Sequence, residues 1–417
     1  MMLWWLWACT GSDPVVDSGK PADTAVVDAP PAAEPKVLES VKWNLPTHEL
    51  KSPAAIAEGG TVKDGRETLE KVVRTYGLDA GNPWAVKHAL IALGPDAKLP
   101  DGRSAVDALF QDYAEEVELQ GQTLIAFPKL KEVPGSESIR IEPHTDLLLK
   151  GLAEAGVKPD HAVSVQGHPH VVGDLYRESL FHVWVSKDQV WTTSWNDVPW
   201  TLYGLAAWAP DDLAWVAEGG HPMTMDALTS ATVAQLHSET QFLRDAMAKG
   251  EKVEKQKQGI FAYTCGGAHL LQGAAFAVAR GFGTPEDRAS IEAEVPSLFY
   301  RFDLELAQVD EALTKHPEYR VVLLVQRMKF LGHFLETGHE LAALGFYTAT
   351  PEQAEILERA AGELLISVVL LRELGAFEEL PQLKNTEKHQ QYLDLVGDAA
   401  HALHGLNLAF GRDSVRY

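Results

Sequence analysis

The chain has 417 residues, 46% of them hydrophobic and 23% charged, with 33 Gly and 23 Pro; this profile excludes a disordered chain, a collagen-like repeat and a polytopic membrane protein. Acidic residues outnumber basic ones 59 to 36, for a net charge of -23, and such a surface repels phosphate backbones, so nucleic acid is not an expected partner. With only Cys9 and Cys265, there is no disulfide framework.

In chain order, residues 1–9 read M-M-L-W-W-L-W-A-C. A membrane-spanning helix needs about 20 apolar residues, so this shorter run suits a signal-peptide core instead. Leu6-Trp7-Ala8-Cys9 resembles the bacterial lipobox, in which a small residue precedes a cysteine that is lipidated and becomes the new N-terminus. No Lys or Arg precedes the run, as a start further upstream would explain. Residues 10–40 are rich in Asp, Pro, Ala, Ser, Thr and Val, and almost free of large apolar side chains. They cannot bury enough surface to offset their ordering entropy and are expected to be a disordered tether. The resemblance implies a lipid bilayer as partner and an extracytoplasmic, cell-envelope address. Thr10 in place of Asp after the cysteine points to the outer membrane.

From residue 41 to 417 the composition is globular and helical periodicity dominates. One series of segments is amphipathic and charged: 64–76, 104–119, 173–186, 225–248, 285–314 and 351–373. The other is apolar and rich in Ala and Gly: 83–94, 144–155, 197–208, 265–281, 320–345 and 388–410. A helix with one wet face lies outside, and one apolar nearly all round is buried. Six of each predict an all-α fold, an (α/α)6 toroid of alternating outer and inner helices. The inner segments start 61, 53, 68, 55 and 68 residues apart, the length of a helical hairpin. Local repeats agree. Gly167-His168-Pro169 and Gly220-His221-Pro222 precede Leu175 and Leu228 at one offset, with Asp101-Gly102-Arg103 a diverged third copy. Thr284-Pro285 and Thr350-Pro351 read as N-caps with Pro at N1, closed by Asp287 and Gln353 at N3. Residues 123–127 and 138–142 read as strands around a Pro/Gly turn, and 214–225 contains another hairpin, all placed on one rim. The competing arrangement is two helical lobes split near residue 250, where 249–258 is charged.

Inner helices open on unusual residues: Asn82-Pro83-Trp84 with His88; Glu142-Pro143-His144-Thr145-Asp146; Trp195-Asn196-Asp197 with Trp200; and Thr264-Cys265-Gly266-Gly267-Ala268-His269. Helix N-termini carry free N–H groups, so such side chains border a ready binding site. Cys265 and His269, four apart, share a helix face and are ligand types for zinc, with His144 and His88 the first choices for a further donor. His88, Trp84, Asn196 and Trp200 are expected to line the cavity. Asp146 and Asp197 are the candidate catalytic carboxylates, as a glycosidase-like acid/base pair or as a base beside a metal. His168-Pro169-His170 is better explained by turn chemistry than as a metal clip. His333, Glu336 and Glu340, and Asp398, His401 and His404, share faces of the last two inner helices. Buried ionisable groups need pairing or a cavity, and polar bonding between packed helices explains them as well as ligation does. No phosphate loop, nucleophile elbow or H-E-x-x-H is present.

The phrases PWAVKHALIALG, EPHTDLLLKGLAEAGV, WNDVPWTLYGLAAW and TCGGAHLLQGAAFAVARG resemble a group of exported proteins of planctomycetes and myxobacteria marked by Cys-Gly-Gly-Thr-His. This chain has Ala268 at the Thr position, and the group carries no activity to transfer. The architecture is similar to terpenoid-cyclase and prenyltransferase toroids, but their Asp-rich motif and Gln-Trp repeats are missing. So is the Cys-His-Gly pattern of lanthionine cyclases. The sequence therefore points to a surface-anchored toroid binding a small molecule, or a glycan or peptide end, with metal-assisted chemistry. The alternative is a non-catalytic envelope scaffold.

Overall fold

The helices start where capping chemistry directs them. The computed structural model describes residues 62–132, 138–186, 196–384 and 389–411. Cys9, the tether and Trp195 lie outside the described residues. Numbered in chain order, the described helices are α1 (Val62–Val72), α2 (Pro83–Leu93), α3 (Ala105–Tyr113), α4 (Leu147–Glu154), α5 (Val172–His182), α6 (Val198–Trp208), α7 (Met225–Lys249), α8 (Ala268–Ala279), α9 (Pro285–Lys315), α10 (Arg320–Ala343), α11 (Pro351–Glu373), α12 (Leu380–Leu383) and α13 (His389–Ala409). Thr284 and Thr350 cap α9 and α11, each with a reciprocal bond from Asp287 or Gln353 and Pro at the first turn. Asn82 Oδ1 accepts from Ala85 N at 3.1 Å and Pro83 opens α2.

The protein is predominantly helical, with four two-stranded antiparallel sheets among the described residues. The two predicted classes of helix differ as expected. Every residue of α6 is buried, as are Pro83 to Ala92 of α2, whereas α1, α9 and α11 keep a wet face. The buried helices pack in a cyclic order: α2 on α4, α4 on α6, α6 on α8, α8 on α10, α10 on α13, and α13 back on α2. Helices on either side of residue 250 therefore touch directly. Small residues make these crossings tight. A Cβ on Gly204 would come within 2.7 Å of Leu149, and one on Gly273 within 2.6 Å of the Pro199 carbonyl oxygen. The Ala- and Gly-rich composition is thus a packing requirement. No helix among the described residues is long and apolar enough to cross a membrane.

The sheets correct one expectation. Residues 114–119 do not continue α3. Instead β1 (Glu115–Leu119) pairs with β2 (Gln122–Ala126), while β3 (Leu130–Lys131) pairs with β4 (Ile139–Arg140). The segment 123–127 is thus paired to its predecessor, not to 138–142. Gln120 and Gly121, at φ 50° and 76°, form the two-residue turn with both φ positive that closes tight hairpins. The Gly-His-Pro copies do sit in equivalent hairpins. β5 (Ala162–Val165) with β6 (His168–Val171) precedes α5, and β7 (Ala214–Ala217) with β8 (His221–Thr224) precedes α7. Gly102, Gly167 and Gly220 share positive φ of 89°, 88° and 82°. His168 and His170 both bond the Glu116 carboxylate from these hairpins, consistent with a structural role.

Candidate metal centre

Five imidazoles line one small cavity of about 30 Å³, His144 from just before α4 and four from four buried helices: His88 of α2, His269 of α8, His333 of α10 and His401 of α13. That volume holds about one water molecule or an ion. Ring centroids lie 4.1 Å apart for His333 and His401, 5.0 Å for His269 and His333, and 5.1 Å for His88 and His401. All four side chains are nearly buried.

Each ring is anchored through Nδ1. His88 Nδ1 lies 2.6 Å from the Trp84 carbonyl oxygen, which only accepts, so Nδ1 carries the proton. His269 Nδ1 lies 3.1 Å from Gln272 Oε1, whose amide orientation is set by donation from Nε2 to Thr337 Oγ1 at 3.1 Å. His333 and His401 both point Nδ1 at the Glu336 carboxylate, at 3.1 and 3.0 Å, and His404 adds a third imidazole at 3.0 Å. Nε2 of His88, His269, His333 and His401 has no hydrogen-bond partner among the described residues. An anchored Nδ1–H with a bare Nε2 is the arrangement of a metal-ligating histidine, and a carboxylate behind the ring is its usual support.

The electrostatics agree. Burial holds His88 and His269 well below the usual imidazole range and His401 at about 3, so these rings are neutral. Burial works against charge on Glu336, but His401 and the three imidazole N–H donors outweigh it and keep the carboxylate well below its usual range. Asp398 lines the same cavity with Oδ2 buried and unpaired by hydrogen bonds. Burial pushes its carboxyl well up, and Lys329, 3.5 Å away, offsets only part of this.

The Cys-Gly-Gly motif is not helical, contrary to its expected place in the first turn of α8. Cys265, Gly266 and Gly267 have φ of 53°, 60° and 75°, a left-handed turn, and the helix starts at Ala268. A Cβ at Gly267 would lie 2.2 Å from Ile260, so two glycines are required for backbone reasons. Cys265 itself occupies a conformation that is uncommon for a non-glycine residue. The turn still brings Cys265 within 4.8 Å of donor atoms on His269 and His333, but its sulfur is in a disulfide, which offers no thiolate, contrary to the expected ligand role. Asn196 lines the larger neighbouring cavity and also clamps this turn, its Oδ1 accepting from Thr264 N at 2.9 Å.

His333, rather than His144, has a donor atom within 4.8 Å of those of Cys265 and His269, although His144 lines the same cavity. The Trp200 indole stacks on His144 at 4.4 Å and packs on His269 at 4.8 Å on separate contacts. His144 Nδ1 bonds Asp197 Oδ1 at 2.9 Å, Asp197 Oδ2 accepts from Thr145 Oγ1 at 3.1 Å, and His144 Nε2 is buried without a partner. Asp197 therefore stands behind His144. Asp146 faces away: Ser179 Oγ donates to its Oδ1 at 2.6 Å and Thr201 to its Oδ2. Burial lifts it to about 6. Trp84 packs on His88 at 4.0 Å and lines the cavity as expected.

Sequence reasoning gave no role to Lys87, which lines the cavity and is buried without a carboxylate within 4 Å among the described residues. Burial, then the charge of Lys150, lower it to about 7. The available signal was a lysine inside an otherwise apolar helix. Below it, Lys150 pairs with Glu154, and Tyr203 donates to Glu340 Oε1 at 3.3 Å. Burial, then Glu154, raise Glu340 to about 8. A carboxyl raised above its unfolded value of about 4.3 contributes stability fully below that pH and loses it as pH rises through about 8. Glu340→Gln should therefore gain on the parent as pH rises, by on the order of 3 kcal/mol at pH 8. Urea unfolding at pH 5 and pH 8 checks this, and parallel stabilities would reject it.

Comparison with family models, with curated proteins and with solved structures finds no match.

Proposed function

We propose that this chain is an envelope lipoprotein whose helices form an (α/α)6 toroid, and that the cavity holds a zinc-type divalent ion. With it the protein acts on a small molecule or on the end of a glycan or peptide chain. The cyclic packing of six buried helices supports the toroid. The observation that carries the metal reading is the set of four imidazoles from four helices, each anchored at Nδ1 and bare at Nε2. Neutral nitrogen donors suit late first-row divalent ions, and an ion held by only three of the four imidazoles would keep a position for water. His144, lining the same cavity and oriented by Asp197, supplies a proton acceptor for that water.

The test is calorimetric titration of the chelator-treated full chain with zinc. One ion per chain is expected, with His333→Ala and His401→Ala each losing at least ten-fold in affinity. A chain that takes no zinc, cobalt or copper would leave a binding scaffold as the reading.

The anchor has its own test. Cys9→Ser should move the protein from the detergent phase to the aqueous phase after export. Unchanged partitioning would reject lipidation at Cys9.

A further inference from the structure

The imidazole cavity adjoins a much larger chamber of about 1030 Å³, which Cys265 and His333 also line. Residues of α9 face this chamber turn after turn, from Glu294 through Ser297, Arg301, Glu305 and Gln308 to Lys315. At about 1.5 Å rise per residue that stripe is roughly 30 Å long. An extended strand of about nine residues covers that length.

Its two ends differ. Glu311 and Lys315 are 61% and 62% exposed, whereas Ser297 and Glu294 are 3% and 2% exposed. The buried end carries two unsatisfied polar atoms, Glu294 Oε2 and Ser297 Oγ. Glu294 Oε1 is taken by Arg244 and by His237 Nδ1 at 3.1 Å, so Oε2 is a carboxylate oxygen left for something else. Between the ends, Arg301 Nη2 donates to the Gly266 carbonyl at 2.8 Å, which puts the Cys-Gly-Gly turn and the imidazoles alongside the groove.

We infer that this groove takes the amino end of an extended peptide, its ammonium held by Glu294 Oε2 and Ser297 Oγ and its chain passing the imidazole cluster. An orphaned buried carboxylate oxygen pairs best with a charged N–H donor. The neutral end of a glycan offers none, and an acyl chain has no use for the Arg301–Glu305 and Lys255–Glu305 pairs along the wall. The walls between are largely aliphatic, from Leu236, Leu243, Ile260 and Leu298, which suits apolar side chains. This deepens the proposed function by naming the substrate class and rests on that reading for the use made of the peptide, though not for its binding.

The experiment is fluorescence anisotropy with the full chain and an octapeptide of alanine, leucine and serine labelled at its carboxyl end. It is run once in chelator and once with zinc. The free-amine peptide should bind at least ten-fold tighter than its N-acetylated twin in both conditions. Ser297→Val and Glu294→Gln should each remove that preference. If Glu294→Gln fails to fold, the acetylation comparison on the unaltered chain decides alone. Equal binding of the two peptides, or displacement by a glucosamine oligosaccharide but not by unlabelled peptide, would overturn the inference. Failure of the metal reading shows separately, as an absence of zinc uptake with peptide binding intact.

Discussion

Glu336→Gln is expected to lower zinc affinity by about ten- to a hundred-fold, the usual cost of removing a carboxylate behind metal-ligating histidines. The same change should destabilise the fold by about 3 kcal/mol or more. Glu336 accepts from Nδ1 of His333, His401 and His404 through two oxygens. Glutamine keeps one acceptor and turns an N–H₂ donor toward rings that already donate. At least one imidazole must then move its proton to Nε2, which removes a lone pair from the cavity, or lose its bond altogether. The carboxylate is held well below its usual range, so the folded surroundings favour the anion that the variant lacks. Zinc calorimetry and urea unfolding measure both effects. Stability within 1 kcal/mol of the parent, together with unchanged zinc affinity, would show that the carboxylate neither orients the rings nor supports the fold.

Gly332→Val should be as damaging from a position that donates nothing to the ion. A Cβ at Gly332 would lie 3.0 Å from the backbone N of Ala402 and 3.1 Å from its Cα; reciprocally, one at Gly405 would lie 2.9 Å from the Gly332 carbonyl oxygen. The contact is backbone on backbone, so no side chain can swing aside. α10 carries His333 and Glu336, and α13 carries His401 and His404, so separating the helices pulls the cluster apart. Overpacking of this kind costs about 1–3 kcal/mol where side chains yield, and the upper end or beyond is expected here. Zinc affinity should fall at least ten-fold with it. Gly338→Ala is the control, since its Cβ meets the end of the Leu357 side chain at 2.9 Å and the helix gains propensity. Thermal unfolding with and without zinc separates the two. A valine at 332 tolerated within about 1 kcal/mol would mean that the two helices have room to part.

Between them these substitutions probe the feature hardest to foresee. The histidines at 333, 401 and 404 and the carboxylate at 336 are visible as ionisable residues in apolar helices. Periodicity places each on a face of its own helix. It does not say that the two faces meet, nor that one carboxylate gathers three rings. Interhelical polar bonding and metal ligation begin from the same pattern, and the difference lies in which ring nitrogen remains unpaired.

The sequence by itself determined the two classes of helix, because burial on all sides requires a residue string that is apolar on all sides, as in α6. It also determined the starts of α9 and α11, because Thr-Pro with an acidic or amide residue at N3 satisfies free N–H groups locally. The hairpin before α7 was legible for the same reason, and the Gly-His-Pro repeat marked the turn before α5, since a glycine at positive φ leaves a local mark. Tertiary structure alone decided what depends on partners distant in sequence. Glu115–Leu119 became a strand because Gln122–Ala126 lay beside it across a two-residue turn. Cys265 left the helix because Ile260 and Arg301 occupy the space around a left-handed turn. Asp197 became the support of His144, and His333 rather than His144 came within reach of Cys265 and His269, because helix packing decides which helix faces meet. Local order is written in short-range hydrogen bonding and periodicity, whereas a site built from α2, α8, α10 and α13 exists only once long-range packing has brought those helices together.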